Sequence, residues 1–96
     1  MIKYDGSSAS EQEIKNAEEE GELYEVIVKD NVGSIGDYAF QDCSNLTSIT
    51  ISDSVTSIGS EAFDNCSNLT NIVWKGNSYT SVYEFLSAFR NDNDNE

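Results

Sequence analysis

Cys43 and Cys66 are the only cysteines in the chain, 23 residues apart. A thiol can act as a nucleophile, hold a metal or pair as a disulfide, and each use demands particular neighbours. Nucleophilic chemistry needs a base, and the sequence has no histidine. That removes the Cys-His and Ser-His arrangements. Two cysteines without histidine leave a zinc site short of ligands. No phosphate-cradling pattern G-x-x-x-x-G-K-S/T or G-x-G-x-x-G occurs. The many serines fall in turns and caps, and the carboxylates form no pair that the sequence would bury. Neither an enzyme, a metal nor a cofactor is expected. Asn-Leu-Thr at Asn45 and Asn68 and Asn-Cys-Ser at Asn65 match the glycosylation acceptor. Because Asn45 and Asn68 recur at the cysteine spacing, they are read instead as structural amides that bond backbone groups where a strand begins. The terminal NDNDNE offers oxygen ligands but lacks the glycine and glutamate of a calcium loop, and reads as a solvated tail.

Charge narrows the partners. The chain carries 18 acidic and 5 basic residues, a net charge of −13 in 96 residues. Nowhere do the basic residues cluster, so a phosphate backbone or an anionic membrane surface would be repelled. The acidity is read mainly as a device for solubility, with the steering of a basic ligand as the second reading. No apolar run approaches the length that spans a bilayer, so no membrane insertion is expected. The first residues, MIKYDGSSASEQEIKNAEEEGEL, lack the apolar segment of a signal peptide. They leave an intracellular location open.

The elements that must position these groups come from a repeat. VGSIGDYAFQDCSNLTSITISDS (32–54) and VTSIGSEAFDNCSNLTNIVWKGN (55–77) agree at 12 of 23 positions with no gap. Continuing the register backward places Leu23, Val26 and Val28 under Leu46, Ile49 and Ile51, so residues 23–31 read as a third, half copy. LTSITI is rich in β-branched residues and predicts a strand. SDSV turns the chain, Gly59 permits a tight corner, and Ser60 or Asp37 suits an N-cap. EAFDNC then predicts one helical turn with Ala62, Phe63 and Cys66 facing inward. One such unit cannot bury its apolar side alone, but stacked units share a core. The cysteines would lie about 4.8 Å apart if the units stack in register, within disulfide range. Their side chains, however, would point in parallel. Both are expected free and buried, with a disulfide as the second reading and metal binding as the third.

The expected architecture is an α/β solenoid, with a three-strand parallel sheet on one side and helical turns on the other. Capping helices are expected at both ends. Residues 1–22 form the N-terminal capping region, 23–77 the repeats, 78–90 the C-terminal capping helix and 91–96 a disordered acidic tail. Ser10–Glu13 and Ser81–Glu84 both fit the S-x-x-E capping box, and the first helix should end at Gly21 with fraying beside its glutamates. Val82, Phe85, Leu86 and Phe89 fall on one helical face. The expected core is Leu23, Val26, Val28, Val32, Ile35, Phe40, Leu46, Ile49, Ile51, Val55, Ile58, Phe63, Leu69, Ile72 and Trp74.

The string IG..AF..C.NLT.I.I, at 35–51 and again at 58–74 with Trp74 in the last place, resembles the BspA-like class of leucine-rich repeats. The resemblance covers 23–77, and two features depart from the class: the chain has no proline, and it carries few copies. It implies a curved solenoid with a parallel sheet on the concave face, and a secreted or cell-surface protein that adheres to host proteins.

On the strands, the outward positions align as columns: Glu25, Ser48 and Asn71; Ile27, Thr50 and Val73; Lys29, Ser52 and Lys75. The middle column is partly apolar with polar neighbours, the make-up of a protein contact patch. The functional expectation is a non-enzymatic protein-interaction module that binds through this face. It is expected to be a monomer or a weak oligomer, with a host extracellular protein as the partner class the resemblance suggests. The alternative is a structural spacer or capping fragment of a longer repeat protein, with no ligand of its own.

Overall fold

The computed structural model describes residues 1–94, with side chains to residue 92. In chain order the elements are β1 (Ile2–Tyr4), α1 (Ser8–Glu20), β2 (Tyr24–Val28), β3 (Ser34–Ile35), β4 (Leu46–Ile51), β5 (Ser57–Ile58), β6 (Asn71–Trp74), β7 (Asn77–Tyr79) and α2 (Val82–Asp94).

The repeats stack as the 23-residue register requires. Ser48, Ile49, Thr50 and Ile51 of β4 pair in parallel with Asn71, Ile72, Val73 and Trp74 of β6. The sheet is nevertheless wider than three parallel strands. Its order is β1-β2-β4-β6-β7, with β1 parallel to β2 and β7 antiparallel to β6. β1 comes from Ile2-Lys3-Tyr4, whose alternation sends Tyr4 into the core, and its end is tied where the Lys29 amide donates to the Tyr4 carbonyl at 2.9 Å. The region 1–22 is thus a strand and a helix. β7 follows from Lys75 and Gly76, whose φ values of 49° and 79° make a left-handed two-residue turn. Such turns match the twist of a hairpin.

The opposite side departs from expectation more sharply. Residues 37–42 and 60–65 form turns, not helix. Tyr38 and Asp42 have φ of 61° and 63°, and their repeat partners Glu61 and Asn65 have 53° and 62°. A left-handed residue at every fourth position stops a helix from propagating. The amides this frees go sideways: Tyr38, Phe40 and Asp42 N–H donate to the carbonyls of Ser60, Ala62 and Asp64 at 3.0, 2.7 and 2.9 Å. Ahead of these turns, β3 and β5 pair as a second, two-stranded parallel sheet. Asp37 does not cap its own turn; its Oδ1 accepts the Ser60 amide of the next repeat at 2.8 Å. Gly59 lies against Asp37 so closely that a Cβ there would collide with it, so close approach is what requires glycine at this corner.

Leu23 is not a core residue; it is 66% exposed. The pairing of β2 with β4 slips by one residue between Tyr24 and Glu25, so Tyr24 rather than Leu23 lies opposite Leu46. Ile58 is only half-buried, packed against the core from its edge. The other expected core positions are buried.

Four rings run through the stack. Phe40 and Phe63 are stacked, with centroids 5.5 Å apart. Tyr4 meets Phe40 at 5.0 Å, and Phe85 meets Phe63 edge-on at 6.3 Å. The repeat supplies the inner pair, while β1 and α2 supply the ends. Phe85 also meets Trp74, Tyr79 and Phe89, so α2 closes that end with an aromatic cluster. Its start follows the capping box: Ser81 Oγ accepts the Glu84 amide at 3.1 Å. The helix continues to Asp94, through the first four residues of the expected tail; Asn95 and Glu96 lie outside the described residues. In α1 the N-cap is Ser7, not Ser10. Ser10 is buried, and its Oγ donates to the Ser7 carbonyl at 2.9 Å. The helix ends at Gly21 in the left-handed conformation, and Glu18 near its end is held by hydrogen bonds.

Candidate functional site

Alternation along the strands separates two faces. Val26, Val28, Ile49, Ile51, Ile72 and Trp74 turn into the core, while Ile27, Thr50 and Val73 turn outward. The pairing aligns these three in one row and extends it at both ends, as Lys3–Ile27–Thr50–Val73–Ser78. Ile27 and Val73 are half-buried apolar side chains, and Lys3, Thr50 and Ser78 are exposed polar ones. Beside this row runs a second, Glu25–Ser48–Asn71, in which Asn71 Nδ2 donates to Ser48 Oγ at 3.0 Å. Lys3 and Ser78 lay beyond the sequence reading. The alternation of Ile2-Lys3-Tyr4 and the Lys75-Gly76 turn signal were the clues to them.

The third expected column does not assemble. Lys75 leaves β6 to form the left-handed turn. Its Nζ pairs with Asp92 Oδ2 at 3.0 Å and lies 5.0 Å from the centre of the Trp74 ring. Ser52 is committed to the turn after β4: its Oγ donates to Asp30 Oδ1 at 3.0 Å and accepts the Ser54 amide at 3.2 Å. Lys29 is exposed just past the end of β2. Six of the nine expected residues therefore lie together in two paired rows, while Lys29, Ser52 and Lys75 stand outside the strand pairing.

The groups that could carry covalent chemistry are elsewhere and subdued. Cys43 and Cys66 are buried and free. Burial pushes the Cys66 thiol up to about 12 and raises Cys43 as well, so both are neutral thiols near pH 7. Cys66 Sγ donates to the Phe40 carbonyl of the preceding repeat at 3.0 Å. Burial and then the Glu18 carboxylate raise the Tyr24 phenol, which donates to Glu18 Oε2 at 2.6 Å. The same carboxylate accepts the Asn45 amide at 3.0 Å. Asn68 Nδ2 donates to the Ser44 carbonyl at 2.7 Å, tying the second strand's start to the first repeat. These contacts join repeats to each other and to α1; what they do chemically is hold the stack.

A family model described as BspA type leucine rich repeat region (6 copies) matches residues 15–94. The match is wider than the repeats themselves and takes in part of α1 and all of α2. No curated protein and no solved structure matches the chain. Leucine-rich repeats generally mediate protein–protein interaction, and those of the BspA type are generally surface-associated. No helix among the described residues is long and apolar enough to cross a membrane.

Proposed function

Since the chain belongs to the BspA-type leucine-rich repeat family, we propose that it is a non-enzymatic interaction module, a short solenoid whose concave sheet face binds a protein partner. The observation that carries this reading is the row Lys3–Ile27–Thr50–Val73–Ser78. An apolar centre with polar ends, standing on a sheet face over which no element of the described residues packs, is how a contact patch is composed. Adhesion to a host extracellular protein, at the surface of the producing cell or after secretion, is the use we propose for it; the family itself supports protein–protein interaction.

Area limits the strength of binding. Five strands at about 4.8 Å spacing, the longest of about six residues, give a face of at most about 480 Å². A stable interface takes about 800 Å² from each partner. Contact through the face alone is therefore weak, and firm attachment draws on the flanks or on several copies acting together.

The test is capture from panels of purified extracellular host proteins by the wild type, Thr50→Arg and Val73→Glu. Capture by the wild type that both substitutions weaken tenfold or more supports the reading. Equal capture by all three removes the face. Failure of the wild type to capture any protein favours the spacer, the reading to which the small area points.

A further inference from the structure

Backbone-to-backbone bonds between the turns opposite the sheet run in one direction only. The second turn accepts from the first: the Ser60, Ala62 and Asp64 carbonyls take the amides of Tyr38, Phe40 and Asp42. Twenty-three residues earlier, the equivalent carbonyls are those of Asp37, Ala39 and Gln41. They face away from the second repeat, and none of them accepts a hydrogen bond within the described residues. Where a preceding repeat would lie there is a groove of about 690 Å³, walled by this turn on one side and α1 on the other. α1 does not fill it, because the helix is drawn toward β1 and toward Ser44 and Asn45 through Glu18.

We infer that this groove is a second binding site, for a basic peptide segment. The neighbouring repeat shows what the edge accepts: a chain running beside it in the same turn conformation and offering every second amide. Three unpaired carbonyls give the backbone match. Charge selects the occupant. Glu11, Glu19, Asp37 and Asp42 border the groove against a single Lys15, in a chain of net charge −13. Tyr38 stands on the rim, 53% exposed, its ring open to a guanidinium or ammonium group. A second copy of the chain is the other occupant with matching hydrogen bonds, since its Glu61, Phe63 and Asn65 amides repeat the donor row. That edge, however, carries Glu61 and Asp64, and like charge opposes the pairing. The groove lies across the core from the sheet face, so the two sites are independent.

The probe is a fluorescein-labelled octapeptide of alternating arginine and threonine, titrated by anisotropy in 0.15 M salt against the full chain. Saturable one-to-one binding is expected. The same peptide N-methylated at every backbone amide should bind at least tenfold more weakly, since it keeps its charge but has no N–H to donate. Glu11→Gln/Glu19→Gln/Asp42→Asn should also weaken binding at least tenfold, whereas Thr50→Arg on the sheet face should leave it unchanged. Equal binding of the methylated peptide would reduce the interaction to diffuse charge attraction and overturn the site. So would absence of saturation, loss of binding on Thr50→Arg alone, or head-to-tail assembly of the chain by sedimentation that the triple variant abolishes.

Discussion

The Glu18 carboxylate gathers three donors from two places: the Tyr24 phenol, and the Asn45 amide with Ser44 Oγ beside it. It thereby ties α1 to the first strand of the repeats and to the loop that opens the second. Tyr24 is central to this arrangement, because the one-residue slip in register brings it inward and leaves Leu23 outside. Leu23→Ser should change stability by no more than about 0.5 kcal/mol, as surface substitutions do. Tyr24→Ser should cost at least about 2 kcal/mol, through a lost core ring and a lost charge-assisted bond. Chemical denaturation measures both, and a reversed order would refute the slip. A second test at this scale is alkaline pH. The folded Cys66 thiol titrates at about 12 instead of its ordinary 9.0, so the fold favours the protonated form. That contribution is whole below pH 9 and is lost as pH rises toward 12. Tyr4, Tyr24 and Cys43 are raised as well and act in the same sense. The unfolding midpoint should fall from pH 9 upward, and Cys66→Ala should flatten that fall. An unchanged slope would mean the thiol is not held as described.

Elements were legible where periodicity and packing point the same way. Ile49 and Ile51 of β4 and Ile72 and Trp74 of β6 alternate cleanly, and burial follows the alternation. Phe85 and Phe89 of α2 occupy a helical face that the core requires. What escaped was decided by groups without side-chain periodicity. The turns 37–42 and 60–65 look helical in EAFDNC, but the Tyr38, Phe40 and Asp42 amides of the first find acceptors in the second, and left-handed residues interrupt both. β1 is three residues long, too short for a pattern, and forms because β2 offers it an open edge. β7 depends on Lys75 and Gly76 taking positive φ. Lys75, expected on the sheet face, is consumed by that turn. Gly76→Ala should therefore cost about 1–2 kcal/mol, the penalty of a Cβ in left-handed backbone, and should loosen β7 against β6. Hydrogen exchange at the Asn77–Tyr79 amides reads that loosening, and unchanged protection would remove the turn from its role.

The whole molecule is a stack whose two ends are closed differently. Tyr4 and α1 close one end over an acidic groove, and α2 closes the other with Phe85, Phe89 and Trp74. Between them the sheet presents one outward face, and the residues shared by the two repeats are almost all spent on core and corners. On the proposed reading, specificity on that face rests on the differing letters: Glu25, Ser48 and Asn71 in one row, and Ile27, Thr50 and Val73 in the other. The most direct test is methyl NMR shift mapping of the isotope-labelled chain during titration with a captured partner. The methyls of Ile27, Thr50 and Val73 should shift together and saturate at one stoichiometry, while those of Leu23 and Leu86, away from the face, hold still. Shifts centred on Leu23 or Leu86, with Ile27, Thr50 and Val73 unmoved, would contradict binding through the sheet.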